Sequence, residues 1–426
     1  AATRNALLDR LLALDRCAEA FLEAPWSTTR ALVGLDPARR SALGPWIERG
    51  PEGAAERFTT RCRAMLGLAL AWPAPPTPFA DLLLDALRQT GRPDQFGQCR
   101  ALGEALAALA PRLDDPEAVA ALADGLLDAL RQTTDPYQCR AVGEALAGLA
   151  PRLDDHTAVA ERWLDALRQA DGSDQCEALG QALAALAPRL DDPTAVAALA
   201  DGLLDALRQT TDPWQSVAVG QALAALAPRL GDPEAVAERW LDALRQTTAP
   251  WQSDALGQAL AALAPRLDDP EAVAERWLDA LRQTTAPWQS GALGAALAAL
   301  APRLDDPEAV AEPWFDALRQ TTDTYQCRAV GEALAGLAPR LDDPTAVAER
   351  WLDALRETTD PSQSGALGRA LVALAPRLDD PEALAALADG LLDALRQSTD
   401  PSQWEALGQA LAGLAPRLDD PTAVAE

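Results

Sequence analysis

The chain has 426 residues and a net charge of −27, from 37 basic and 64 acidic residues. This length exceeds what one hydrophobic core usually organises, so we expect several domains or an array of repeats. The negative charge opposes non-specific attraction to nucleic-acid phosphates and anionic lipid, which disfavours nucleic acid as a partner. No apolar run approaches the ~20 residues that a membrane-spanning helix needs. We therefore expect a soluble, cytoplasmic protein without a membrane partner.

Arginine supplies every basic residue, because the sequence contains no lysine, and this bias is typical of a GC-rich, bacterial genome. The sequence lacks an initiator methionine and ends in DDPTAVAE, a motif that elsewhere continues as AVAERWLDAL. These features predict a fragment of a larger protein, from which a targeting signal or a catalytic domain would be missing.

Residues 1–78 show no repeat. The stretch from Arg4 to Ala24 is amphipathic and helical in pattern, and WPAPPTP, from Trp72 to Pro78, is a stiff break. We expect residues 1–78 to form a helical N-terminal cap or the tail of a missing domain. A repeat domain is expected over residues 79–426.

The motif LDALR returns at a basic interval of 37 residues, with expansions to 40 and 43. Its first residue falls at Leu84, Leu127, Leu164, Leu204, Leu241, Leu278, Phe315, Leu352 and Leu392. Some units are three residues longer, because ALADGL replaces the shorter stretch ERW before the motif. Such insertions are expected to lengthen a helix or loop beside a turn. The pattern predicts about nine repeats, with a truncated tenth.

Each repeat begins with a predicted helix A. In DPEAVAERWLDALRQT, Asp269 is a favourable N-cap and Pro270 suits the first helical position. Val273, Trp277 and Leu281 then recur at helical spacing. Asp242 and Arg245 lie three residues apart on this helix and recur along the chain, which predicts a solvated salt-bridge ladder rather than a catalytic pair.

Helix B follows after a short turn. In TDPYQ, Asp135 is the predicted cap and Gln138 the third helical residue, which predicts a capping box in which the glutamine reaches back to the cap amide. Pro265 is expected to end or kink the helix, and glycines of the ALG motif are expected to be sites of close packing. The predicted apolar side consists of Leu256, Leu260, Leu263 and Leu267.

Two short antiparallel helices that repeat without a core of their own predict an α-solenoid stabilised by nearest-neighbour stacking. The stretch LLDALRQTTDPYQCRAVGEALAGLA resembles the HEAT repeat, in the order of Asp135, Pro136, Arg140, Val142 and Gly143. The resemblance covers about residues 80–426 and implies an all-α, right-handed α-solenoid of about nine repeats, whose B helices line a concave protein-binding surface. The arginine at the position of Arg140 is kept in only three units. The TPR repeat is the second resemblance.

The sequence offers few residues for chemistry. The slot after the helix B glutamine exchanges serine with cysteine, which predicts a packing position, no disulfide and a reducing compartment. The cysteines in this slot are Cys99, Cys139, Cys176 and Cys327. His156 is the single histidine, and we predict an exposed first-turn residue. No nucleotide, hydrolase or zinc motif is present, so we predict no enzyme activity, catalytic residue, metal or cofactor.

Two aromatic series recur. Trp163, Trp240, Trp277, Trp314 and Trp351 align with leucines of the longer units, which predicts a core position. Tyr137, Trp214, Trp251, Trp288 and Tyr325 begin helix B and exchange with serine and aspartate, so their slot tolerates water. Each ring of this second series covers its own turn, or the rings together form a binding stripe.

Two helix B positions four residues apart vary between units and are predicted to face outward. They are charged in flanking units, such as Arg328 with Glu332, and bare at Gly291 and Ala295. The predicted partner-binding patch is Trp214, Val217, Gln221, Trp251, Asp254, Gln258, Trp288, Gly291 and Ala295. We predict a protein-interaction scaffold or sensor array that binds a protein or peptide. The alternatives are a sensing region of a multidomain NTPase or protease, and a single-stranded nucleic-acid-binding repeat.

Overall fold

The computed structural model describes residues 77–89, 96–113, 115–378, 381–397 and 401–415. Within these ranges the regular structure is helical and no residue forms a strand, as predicted. Residues 1–76 lie outside the described part, so the cap or tail predicted over residues 1–78 stays a prediction.

The described helices form nine consecutive pairs, in which odd numbers are A helices and even numbers are B helices. The chain divides between Ala206 and Leu207 into two compact units. The first helices are α1 (Thr77–Gln89), α2 (Phe96–Leu109), α3 (Pro116–Gln132), α4 (Pro136–Leu149), α5 (His156–Gln169), α6 (Ser173–Leu186) and α7 (Pro193–Gln209). The remainder are α8 (Pro213–Leu226), α9 (Pro233–Gln246), α10 (Pro250–Leu263), α11 (Pro270–Gln283), α12 (Pro287–Leu300), α13 (Pro307–Gln320), α14 (Thr324–Leu337), α15 (Pro344–Glu357), α16 (Pro361–Leu374), α17 (Pro381–Gln397) and α18 (Pro401–Leu414).

The predicted start and stop signals are confirmed. Asp269 caps α11 by accepting a hydrogen bond from the Ala272 amide at 3.0 Å, with Pro270 as the first helical residue. Helix α10 ends at Leu263, and a 3-10 turn follows in which Pro265 has no amide to continue the helix. The three-residue insertions lengthen α3, α7 and α17 to 17 residues, against 14 in α9.

The first tryptophan series forms the centre of the core, as predicted. Trp163, Trp240, Trp277 and Trp314 are each 1% exposed and Trp351 is 2% exposed. The four leucines predicted for the apolar side of helix B are also buried. The predicted salt-bridge ladder is present on the outside of the A helices, where Asp242 and Arg245 lie 3.2 Å apart.

Neighbouring B helices approach each other through glycine. A Cβ added to Gly257 of α10 would lie 2.8 Å from Ala292 Cα of α12, and one added to Gly294 would lie 2.7 Å from Ala329 Cα of α14. No real Cβ tolerates such distances, so a side chain would push the helices apart. The prediction that these glycines permit close packing is confirmed.

Asp135 caps α4 as predicted, since it accepts a hydrogen bond from the Gln138 amide at 2.9 Å, but the glutamine half of the predicted capping box is wrong. The Gln138 Nε2 atom donates to the Leu87 carbonyl at the end of α1, 2.5 Å away. The amide of Asp135 donates instead to Thr133 Oγ1 at 3.2 Å. The last carbonyls of a helix have no intrahelical donor, and those of the A helix in the preceding pair lie within reach of the glutamine.

The same arrangement recurs after Leu207. Gln289 Nε2 of α12 donates to the carbonyls of Leu244 and Thr247, both at 2.9 Å, and Thr284 Oγ1 donates to Gln289 Oε1. Each such glutamine therefore ties the start of a B helix to the end of the A helix in the preceding pair. The equivalent residues are Gln175, Gln252, Gln326 and Gln363.

His156 is correctly placed as the first residue of α5, but the prediction that it is exposed is wrong. The residue is half-buried, and its Nε2 atom is buried with no hydrogen-bond partner in the described part of the chain. Helical side chains lean toward the helix N-terminus, which directs this ring over the preceding turn rather than into solvent.

The four described cysteines are buried, as the serine exchange predicted. Burial raises the pKa of Cys139 to about 12, and the carboxylates of Asp174 and Asp135 add to the shift. Burial likewise raises the pKa of Cys327 to about 12. Serine in the same slot finds a local acceptor, because Ser216 Oγ donates to the Asp212 carbonyl at 3.0 Å.

The double substitution Cys139→Ser and Cys327→Ser is expected to leave stability near pH 7 within about 1 kcal/mol. At about pH 10 the free energy of unfolding of the wild-type chain should fall by on the order of 1 kcal/mol per thiol. The variant lacks both thiols and should not show this loss. The folded-state pKa of each thiol is raised, so its contribution is present below the unfolded pKa and is lost as the pH rises toward about 12. Urea midpoints at the two pH values measure the difference, and identical pH dependence in both proteins would contradict the prediction.

Candidate protein-binding surface

Helices α8, α10 and α12 carry the nine predicted partner-binding residues in three rows. Each helix supplies an aromatic residue at its second position and two further residues one turn apart. The rows are Trp214, Trp251 and Trp288, then Val217, Asp254 and Gly291, then Gln221, Gln258 and Ala295. We call this surface the B face. All of it lies in the unit that begins at Leu207.

The structure places the nine residues at the surface to different degrees. Trp214 is 58% exposed, whereas Trp251 and Trp288 are half-buried. The six residues of the other two rows are exposed. Two rings of the aromatic row are partly covered and one is mostly exposed, so both interpretations of this row stay open. That the B face binds a partner stays a prediction.

The B face is almost without charge. Helices α8 and α12 contain no charged residue, and α10 contains only Asp254. The next B helix, α14, is different, because Arg328 Nε and Glu332 Oε1 form an ion pair at 2.9 Å. Arg369 of α16 also approaches Glu332 at 3.5 Å. The uncharged surface is thus bordered by an ion-pair network.

Asp254 is exposed, yet burial of its carboxyl raises its pKa. The two observations are compatible because water reaches one side of the group while protein covers the other. Asp254 makes no hydrogen bond or ion pair with any residue that the structure describes. In the equivalent position of α6, Glu177 accepts a hydrogen bond from Gln181 Nε2 at 3.1 Å, whereas Asp254 has no such bond from Gln258.

Two glycines of α12, three residues apart, have opposite surroundings. Gly294 packs against Ala329, as described above. A Cβ added to Gly291 would meet nothing within 4 Å. Packing therefore does not require glycine at residue 291, where the bare backbone is open to solvent. Together with Ala295, one turn later, it leaves this part of the B face flat.

Two aromatic residues of the B face have unpartnered polar atoms. The Nε1 atoms of Trp251 and Trp288 are buried and make no hydrogen bond in the described part of the chain. The N-cap residues of their helices are Ala249 and Ala286, which provide no side-chain cap. At α8, by contrast, Asp212 accepts a hydrogen bond from the Gln215 amide at 2.8 Å. The starts of α10 and α12 therefore lack the side-chain cap hydrogen bond that α8 has.

A cavity of about 390 Å³ lies elsewhere in the same unit, at the turn between α15 and α16. Several of its polar groups are already engaged, since Gln363 Nε2 donates to the Thr321 carbonyl at 2.7 Å and Thr358 Oγ1 donates to Gln363 Oε1. Among the residues that the structure describes, no group of three or more histidine, cysteine or carboxylate side chains is arranged to hold a metal ion. None of the described helices is long and apolar enough to cross a membrane.

No family model and no curated protein matches this chain. Solved structures do match it. Karyopherin Kap121p bound to the extreme C-terminus of the protein phosphatase Cdc14p aligns with a TM-score of 0.60 and 13% identity, over 95% of this chain and 46% of that one. Kap121p bound to Pho4p aligns with a TM-score of 0.59 and 13% identity, over 95% and 45% of the two chains.

The chain has a HEAT-like α-solenoid fold. It spans less than half the length of Kap121p, 46% in the first comparison, and at 13% identity the likeness concerns the fold alone.

Sequence reasoning missed a second set of bonds that holds the solenoid together. The arginine of the LAPRL motif donates to a carbonyl in the equivalent turn of the preceding repeat, as Arg340 Nη1 does to the Pro302 carbonyl at 2.7 Å. Arg266 and Arg303 make the same bond to Pro228 and Pro265. The signal was available, because this arginine recurs in every unit at a fixed distance from the proline. These arginines are occupied in holding the repeats together.

Proposed function

We propose that this chain is a non-enzymatic protein-interaction scaffold whose partner, a protein or peptide, binds the B face. The observation that carries the proposal is the near absence of charge on three consecutive B helices, in a chain of which 24% of residues are charged. Trp214 and Val217 are large apolar residues that remain exposed on this face, and exposed apolar residues that cluster mark interaction sites. Aromatic residues and few charges are also the composition of interface centres.

The difference in packing between the A helices and the B helices also supports the B face as the binding surface. In this unit the B helices pack through glycine against alanine, whereas bulky tryptophans fill the A layer and pairs such as Arg276 with Glu238 bridge it. A stack whose spacing is shorter on one side bends toward that side. The B face would then line the inner surface, where a bound segment contacts several repeats at once.

The solved structures with this fold offer an analogy. Kap121p has been seen with the extreme C-terminus of Cdc14p, with Pho4p and with Nup53p. Those partners belong to Kap121p, and a shared fold does not carry function by itself. The analogy supports a protein or peptide as the class of ligand. A nucleic-acid strand has less support, since the single charge on the B face is negative.

The double substitution Gly291→Arg and Ala295→Arg tests the proposal. A display library of random dodecapeptides is selected on the wild-type chain, and enriched peptides are then titrated calorimetrically. We expect binding to fall by at least ~100-fold in the variant, because two long charged side chains would cover the flat part of the B face. Stability should change by less than about 1 kcal/mol, since both positions face solvent.

The matched control is Glu177→Arg with Gln181→Arg, which adds two arginines at the equivalent positions of α6. This control should bind the selected peptides as the wild-type chain does. Equal binding by the wild-type chain and the Gly291→Arg, Ala295→Arg variant would place the binding surface elsewhere and refute the proposal.

A further inference from the structure

We infer that the occupant of the B face is an apolar peptide segment of another protein that carries one lysine or arginine, with the cationic side chain placed on Asp254. This inference rests on the proposed function and adds the sign and the position of the partner's charge.

Asp254 occupies the centre of the B face. It belongs to the middle row of the middle helix, with Val217 of α8 on one side and Gly291 of α12 on the other. None of the surrounding residues of the B face carries a positive charge. A ligand that covers the apolar surface on both sides must therefore also cover this carboxylate.

At the equivalent position of four other B helices, the charged residue is bonded within its own helix. Arg100 contacts Glu104 at 2.7 Å, Arg140 contacts Glu144 at 3.3 Å and Arg328 contacts Glu332 at 2.9 Å. Glu177 is hydrogen-bonded to Gln181. Asp254 is different because it has no partner among the described residues, so its charge is available to a ligand.

Covering an unpaired carboxylate with apolar atoms costs several kcal/mol, because the charge loses its water and gains nothing in return. A cationic side chain offsets that cost with a charge-assisted hydrogen bond, and a partner carboxylate would add repulsion. The apolar parts of the B face and its central charge are therefore satisfied together only by an apolar segment with a cation at the matching position.

The same reasoning disfavours a second copy of this chain. A symmetric contact through the B face would bring two copies of Asp254 toward each other without a cation between them. These 426 residues contain no lysine, so a lysine that reaches Asp254 lies outside them. The repulsion between two copies of Asp254 therefore favours a peptide of another protein as the occupant.

The substitution Asp254→Asn tests the inference with the same random dodecapeptide library. Peptides enriched on the wild-type chain should share a lysine or arginine at one position among apolar residues. Their affinity should fall by ~10- to 100-fold on Asp254→Asn, as expected when one partner of a covered charge pair is removed. The matched control Glu177→Gln makes the same change in net charge at the equivalent position of α6, and should leave the affinity unchanged.

The reversed variant Asp254→Lys provides a second measurement. Selection on it should enrich aspartate or glutamate at the position where the wild-type chain selects a cation. Circular dichroism of each variant should match that of the wild-type chain, since residue 254 faces solvent.

The outcomes separate the two claims. Peptides that lose binding on Gly291→Arg, Ala295→Arg but show no cation preference, or bind Asp254→Asn equally well, would overturn the inference and leave the proposed function standing. An equal loss on Glu177→Gln would indicate general attraction to an acidic protein and would also overturn it. Peptide binding that ignores the B face altogether, or dimerisation through it in sedimentation experiments, would refute the proposal itself.

Discussion

Replacing Trp277 by alanine is expected to lower the free energy of unfolding by about 3–5 kcal/mol, the usual range for a large aromatic residue in a core. The side chain is 1% exposed and lies in the core of the unit that begins at Leu207. Its removal leaves a cavity that the flanking helices cannot close without shifting. Repeat arrays depart from two-state unfolding, so urea midpoints and native-state hydrogen exchange of α11 and its neighbours should be measured together.

Two substitutions calibrate this result. Trp214→Ala removes the same side chain from a position that is 58% exposed, and should cost less than about 1 kcal/mol. Trp277→Leu should cost less than Trp277→Ala, because Leu126 and Leu203 fill the equivalent position in longer units and are fully buried. Equal losses from Trp214→Ala and Trp277→Ala would mean that the core is not where the tryptophan series lies.

Replacing Gln289 by glutamate is expected to cost about 3–5 kcal/mol at neutral pH, as an uncompensated buried charge does. The side chain is 9% exposed. The substitution preserves its shape but replaces a donor by a carboxylate oxygen facing the carbonyls of Leu244, Arg245 and Thr247. The pair that contains α12 would then be repelled from the end of α9.

The pH dependence of this variant has a definite sign. The surrounding carbonyls and the loss of water raise the pKa of the introduced carboxyl above its unfolded value, ~4.3 for glutamate. Stability should therefore be near that of the wild type below the unfolded pKa, where the protonated group still donates one hydrogen bond, and should fall as the pH rises. Gln221→Glu, at an exposed position of α8, is the matched control and should lose less than about 0.5 kcal/mol. A flat pH profile for the Gln289 variant would contradict the assigned bonds.

The parts of the fold that the sequence predicted are those decided by neighbours in the chain or by exchange between repeats. Asp269 and Pro270 start α11 because capping is satisfied within one turn. Pro265 ends α10 for an equally local reason. Exchange of tryptophan with leucine between repeats predicted the core position, because both side chains are apolar. Exchange of tryptophan with serine instead indicated a position that water can reach.

The glutamine of helix B shows where such reasoning fails. Its spacing from the cap residue fits a capping box, and the local rule gave that answer for Gln138. The acceptors that it binds belong to an earlier repeat, such as the Leu87 carbonyl, and no rule of local spacing includes them. The prediction for His156 failed for a related reason, since the partial burial of a first-turn residue depends on its surroundings in three dimensions and not on its position in the helix.

The candidate site was predicted in outline only. Variation between repeats identified the exposed rows correctly. It did not separate Gly291 from Gly294, although the first faces solvent and the second faces Ala329. The spacing of Asp254 from Gln258 is also that of Glu177 from Gln181, and only the structure shows that the first pair is not bonded. The charge that we propose for the partner could therefore not be inferred from sequence.

The backward direction of the glutamine bonds gives the array a polarity during synthesis. The carbonyls of Leu244 and Thr247 receive their donor from Gln289, which is added to the chain 45 and 42 residues later. A helix pair that has just left the ribosome thus still exposes acceptors that only the following pair can satisfy. We expect folding to be completed from the N-terminal side and to lag behind translation by about one repeat. Removing C-terminal repeats leaves helix-end carbonyls without their glutamine donor, and water can hydrate them. Removing N-terminal repeats instead leaves a glutamine without the carbonyls to which it donates.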